Sequence, residues 1–207
     1  MIDRVLKYSL LLGYGYFSFL LLLITLQYVP LDLDVAFLRI KQEEIAKGYY
    51  QIAFFTHVYT SIFLMLFAGF QFFVKLNKEN YYWHKLSGRL YVFTILFLSG
   101  TSGLIMSYHA NGGWIAKTSF LILSVLWIYF TAKSWTCAVK GQIAEHRKYA
   151  IRSFALTLSA VSLRLFKYIV VFLFHPPPMD TYRIVAWMGW IFNLLLAEII
   201  IYNKFKK

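Results

Sequence analysis

The sequence predicts an all-α, polytopic membrane protein, a bundle of six transmembrane helices with both termini in the cytoplasm. Three observations predict it. Of 207 residues, 60% are hydrophobic, 20% aromatic and only 14% charged, too little polar surface to cover the core of a soluble domain. The apolar residues gather into runs of about 20, the length a helix needs to cross the hydrocarbon core. The basic residues divide unevenly between the connections, which gives the bundle a direction.

The spans are expected at about 8–29, 50–74, 88–108, 118–138, 150–174 and 184–203, forming one transmembrane domain over 1–207. Short polar or turn-forming stretches separate them, among them Lys75–Asn80, Asn111–Gly113, Lys140–Gln142 and His175–Pro178. Helices are required because lipid offers backbone groups no partners, and the runs are too continuous for barrel strands. The first run, Tyr8 to Val29, is too long for a signal-peptide core, and no small-x-small cleavage site follows it. It is expected to be a retained span.

With the N-terminus inside, fourteen of the 21 basic residues fall on the inner side and five (Arg39, Lys41, Lys47, Lys117, Arg183) on the outer. The remaining two, Arg164 and Lys167, lie inside span five. The net charge of +12 therefore reads as membrane orientation rather than affinity for nucleic acid. The longest connection, the outer loop 30–48, carries Phe37, Ile40, Glu44 and Ile45 in a pattern that fits a short helix on the outer leaflet or a mobile loop.

His84-Lys-Leu-Ser-Gly-Arg89 opens span three, and His146-Arg-Lys-Tyr-Ala-Ile-Arg152 opens span five. Duplicated hairpins would produce this repetition, and so would chance in a basic loop.

Ionisable groups within a bilayer are costly, so each is a candidate for function. His57, Arg164, Lys167 and Glu198 fall inside spans, and Asn193 sits close enough to the midplane to hydrogen-bond Arg164. Packing competes with function at these positions. Lys167 can snorkel, Arg164 with Asn193 can be interhelical glue, and Glu198 can pair with Arg152 as a structural ion pair. Topology puts His84 and His146 together at the inner ends of their spans, with His57, His109 and His175 towards the outside. Two imidazoles at matching depth suit axial ligation of a b-type haem. Arg89, Arg147 and Arg152 stand near enough to pair with its propionates. The same basic groups suit a phosphate or an anionic lipid headgroup, aided by the N-termini of the two helices. His109 and His175, in turn positions, read as surface histidines.

The lone cysteine, Cys137, excludes a disulfide framework and a thiolate metal cluster. No HExxH motif or carboxylate-rich cluster points to a metal other than haem iron. P-loop, Rossmann and nucleophile-elbow motifs are absent as well, and no residue is assigned a catalytic role.

Several pieces together resemble a family of bacterial six-helix membrane proteins known as a predicted membrane protein with a domain of unknown function. They are His57, Gly69-Phe-Gln-Phe72, the HxxxGRxY run from His84 to Tyr91, the HRxxxxR run from His146 to Arg152 with Ser153, Arg164, and Trp187-Met-Gly-Trp-Ile-Phe-Asn193 with Glu198. The likeness covers about residues 50 to 202. In the family pattern a Met stands where Ala150 or Ile151 falls here. The resemblance implies the six-span topology and a bacterial cytoplasmic membrane, and it marks His57, His84, Arg89, His146, Arg152, Arg164, Asn193 and Glu198 without implying an activity. Helix count and histidine placement also give a looser likeness to transmembrane b-type cytochromes.

The leading expectation is therefore a haem b protein carrying electrons within or across the membrane. His84 and His146 would ligate an inner haem, with His57 belonging to a second, outer site. One alternative is a non-haem protein that binds, transports or modifies an anionic lipid or isoprenoid-like substrate at its basic inner mouth. Another is a non-catalytic subunit that meets membrane-protein partners through its aromatic helices.

Overall fold

A computed structural model describes residues 2–74 and 76–206; Lys75 and Lys207, two of the basic residues counted on the inner side, lie outside the described residues. Among the described residues all regular structure is helical. The elements are α1 (Ile2–Leu26), a 3₁₀ segment (Ala36–Ile40), α2 (Gln42–Ile45), α3 (Gly48–Phe73), α4 (Tyr81–Phe93), a π segment (Thr94–Ser99), α5 (Gly100–Tyr108), α6 (Gly113–Val139), α7 (Ile143–Thr157), α8 (Ser159–Phe174) and α9 (Pro178–Phe205). Among the described residues five helices are long and apolar enough to cross a membrane: Lys7–Leu26, Gly48–Phe73, Tyr81–Tyr108, Gly113–Val139 and Pro178–Phe205. A sixth candidate is the pair α7 and α8, bent by 42° at Leu158.

Several helices begin well before their apolar runs, among them α4 at Tyr81, α7 at Ile143 and α9 at Pro178. Hydropathy marks only the stretch that meets hydrocarbon, whereas i→i−4 bonding carries a helix on into the polar zone. His84 and His146 consequently stand inside helices. Each is the fourth residue of its helix, and each donates its backbone N–H to the residue before the first turn, Asn80 and Gln142 respectively.

The chain forms two compact units, Met1–Thr94 and Ile95–Lys207. In the first, α3 packs against α1, α2 and α4. The Tyr14 hydroxyl donates to the Met65 carbonyl, and its ring lies where a side chain on Gly69 would stand, only 2.9 Å from an ideal Cβ. The loop 30–48 carries two short helical segments, Ala36–Ile40 and Gln42–Ile45, where one short helix is an expectation from the sequence. It is a folded cap on α3, with Leu38, Lys41 and Ile45 buried while Ile40 is exposed. Tyr28 and Phe37 pack on Phe54 beneath it, so aromatic contacts set the fold of this segment.

In the second unit, α6 and α9 are the central elements, with α7 packed against both. Polar seams hold the helices together, as expected where lipid removes the hydrophobic drive for helices to associate. Along α6 and α7, Trp127 donates to Thr157 at 3.0 Å, and the Thr131 and Ser153 hydroxyls lie 2.7 Å apart. Along α6 and α9, Arg183 donates to the Gly112 carbonyl, Trp187 to that of Ile115, and Trp190 to the Ser119 hydroxyl. These pairings make α6 antiparallel to α7 and parallel to α9.

The bent pair keeps one direction along α9. Arg152 meets Glu198, Ala155 meets Asn193, and beyond the bend Leu163 packs on Gly189. Contacts move steadily along α9 as the chain ascends, so α7 and α8 form a single bent rod rather than a re-entrant hairpin. A Cβ on Gly189 would stand 3.1 Å from the Leu163 backbone, so any larger residue would press the two helices apart at this crossing.

Candidate functional site

The predicted residues divide between the units, His57, His84 and Arg89 in the first and His146, Arg147, Arg152, Arg164, Asn193 and Glu198 in the second.

In the first unit His57 is half-buried in α3 and His84 half-buried in α4, while Arg89 is exposed. The main chain of His84 is anchored by α3. Gln71 Nε2 donates to the His84 carbonyl at 2.7 Å and to the Ser87 hydroxyl at 2.7 Å, tying the entrance of α4 to the end of α3.

In the second unit the anchoring at His146 acts on its ring. Nδ1 lies 2.9 Å from the Ser134 carbonyl oxygen and 3.1 Å from the Ser134 hydroxyl. A carbonyl can only accept, so Nδ1 is the donor here, and in the neutral form of a ring held this way the lone pair falls on Nε2. Metal-bound imidazoles are commonly held in this way, with the other nitrogen donating to a backbone carbonyl.

Further along α7, Arg152 is engaged by α9. Its Nε donates to Glu198 Oε1 at 2.5 Å and its Nη2 to Oε2 at 2.8 Å, and its guanidinium lies over the Tyr149 and Phe130 rings. The planar fork that suits a propionate or phosphate is thus filled by a carboxylate from α9. Lys148 is paired with Glu145 at 2.7 Å and lies over Phe205. Arg147 is exposed, which leaves it the better placed of the three for an external anion.

Asn193 does not join Arg164. Its Oδ1 accepts from Ser162 at 2.8 Å, and its Nδ2 donates to the Ala155 carbonyl at 3.1 Å. That carbonyl sits just before the bend at Leu158 and also receives the Ser159 hydroxyl at 3.4 Å. Backbone groups near a break in a membrane helix need such side-chain partners, so the amide serves the bend. Arg164 and Lys167 are exposed on α8, and Arg164 Nη1 turns back to the Ala160 carbonyl at 2.7 Å.

His109 is not a surface residue. It is 8% exposed at the end of α5, with its ring edge-on to Tyr108. His175 is exposed, as expected, and adopts a left-handed conformation that ends α8 before the prolines. The sequence reading did not single out Ser134, the residue that orients His146. Its signal was present as the recurrence Ser124, Trp127, Thr131, Ser134 along one face of α6, all of them buried. Among the described residues no group of three or more His, Cys, Asp or Glu side chains converges as a metal site would require.

A family model described as "Predicted membrane protein (DUF2306)" matches residues 54–201, more than half of the chain. No curated protein and no solved structure matches.

Proposed function

The chain belongs to the DUF2306 family of predicted membrane proteins, and from that premise we propose that it is a haem b protein that moves electrons within or across the bacterial cytoplasmic membrane. It spans that membrane six times with both termini inside. The continuous course of α7 and α8 along α9 supports the sixth span, and the excess of basic residues at the same ends supports the orientation.

One observation carries the cofactor reading. His146 is held through Nδ1 by the Ser134 carbonyl at 2.9 Å, which pre-orients Nε2 as a ligand nitrogen. Bound haem would supply one-electron chemistry; the chain's own contribution is to fix the imidazole and to surround it with aromatic and apolar helices. Arg147 serves as the propionate partner, since Glu198 occupies Arg152. The sequence expectation names His84 as the second ligand and His57 for an outer site, and both enter the test as independent variants.

Protein purified from haem-replete cells is expected to show a Soret band and dithionite-sensitive α and β bands. His146→Ala abolishes them, and His84→Ala and His57→Ala report whether those residues also ligate. A colourless wild-type preparation would overturn the haem reading and leave lipid binding or a role as a subunit of a membrane complex.

A further inference from the structure

The face of α6 opposite its polar seam carries a second pattern that the haem reading does not use. At about 100° per residue, Tyr129, Lys133, Thr136 and Lys140 lie roughly 140–200° around the helix from the buried Thr131. Each is exposed, and the Tyr129 ring meets Tyr149 of α7 edge-on at 6.5 Å. With Ala132 they line a shallow groove of about 310 Å³ at the end of α6. Ala132 makes the floor, because its neighbours on this face are all larger.

The charge along this face is one-sided. α6 contains no acidic residue, and Lys133 and Lys140 stand two helical turns apart. Lys133 lies about 9 Å inside the helix end by the rise per residue, a distance its long side chain can span to bring the ammonium to the interface. Its Nζ stands 5.8 Å from the centre of the Tyr129 ring. Further from the helix end the same face turns wholly apolar and stays open, with Val125 51% and Ile122 40% exposed. Two cations and a hydroxyl at one end of an open hydrocarbon track match the two halves of a phospholipid.

We propose that this groove binds an anionic phospholipid. Lys133 and Lys140 hold the phosphodiester headgroup, Thr136 offers its hydroxyl between them, and one acyl chain lies along Tyr129, Val125 and Ile122. The site is distinct from the basic cluster around Arg147 and stands independently of the haem reading.

Native mass spectrometry tests it on the whole protein taken from mixed phosphatidylcholine and phosphatidylglycerol vesicles. Two interfacial lysines favour the anionic lipid by about thirtyfold in retained adducts. Lys133→Gln with Lys140→Gln brings that preference down to near parity, whereas the corresponding double change to Arg keeps it. Ala132→Phe fills the groove floor without altering charge and is expected to remove most of the preference. Circular dichroism confirms that each variant is folded. Equal retention of the two lipids by the wild type overturns the proposal. So does a preference that survives Ala132→Phe, because it would belong to surface charge rather than to the groove.

Discussion

His84 and His146 occupy the same position in two helices, the fourth residue, and each is followed by an arginine five or six places on. Their surroundings differ. At His84 the neighbouring helix grips the main chain, through Gln71 on the His84 carbonyl. At His146 it grips the imidazole, through the Ser134 carbonyl on Nδ1. The arginines differ in the same sense, with Arg89 exposed and Arg152 held by Glu198 and two aromatic rings. At the first entrance Gln71 ties the start of α4 to α3; at the second, Ser134 holds a ring nitrogen and also lies 3.5 Å from the His146 carbonyl.

The largest effect is expected at the bend that carries the second entrance. Asn193→Leu removes the donor to the Ala155 carbonyl and the acceptor for Ser162, and should cost about 1–3 kcal/mol. Thermal unfolding in detergent measures it. A melting temperature unchanged from wild type would show that the bend does not depend on the amide.

Next come the two arginines. Arg152→Ala strands Glu198, and because that carboxylate is 47% exposed the cost falls between the exposed and buried limits, about 1–2 kcal/mol. Arg89→Ala should change stability by less than about 0.5 kcal/mol. Equal losses at the two positions would erase the contrast between the entrances. A third change probes the first entrance alone: Gln71→Leu should cost about 1 kcal/mol, read as faster hydrogen exchange over the first turns of α4.

Much of this was legible in sequence because bilayer physics is blunt. Apolar run length predicted the spans, and the Arg152–Glu198 pair followed from depth alone. Asn193 was found for its cost in a membrane but given the wrong partner, since depth places a residue without fixing its rotation about the helix. Ser134 was passed over because serine carries no charge and its decisive atom is a main-chain carbonyl, which every residue has. Lys41 was counted as an outer charge, yet it is 2% exposed; its burial depends on how the loop folds onto α3, which no local pattern encodes. The bend at Leu158 has neither proline nor glycine to announce it, and one side chain that serves it, Asn193, comes from another helix.

A small expected effect is the sharpest test of the second entrance. Ser134→Ala deletes the hydroxyl 3.1 Å from His146 Nδ1 but leaves the carbonyl at 2.9 Å. If the carbonyl orients the ring, the loss is that of one interhelical hydrogen bond in a membrane protein, about 0.6 kcal/mol. Nitrogen NMR of labelled histidine should still show His146 protonated at Nδ1, and any haem spectrum should keep its intensity. Loss of that tautomer in Ser134→Ala would transfer the role to the hydroxyl. The ring would then be held by a side chain that can rotate, and the two entrances would differ in which group is held but no longer in how rigidly.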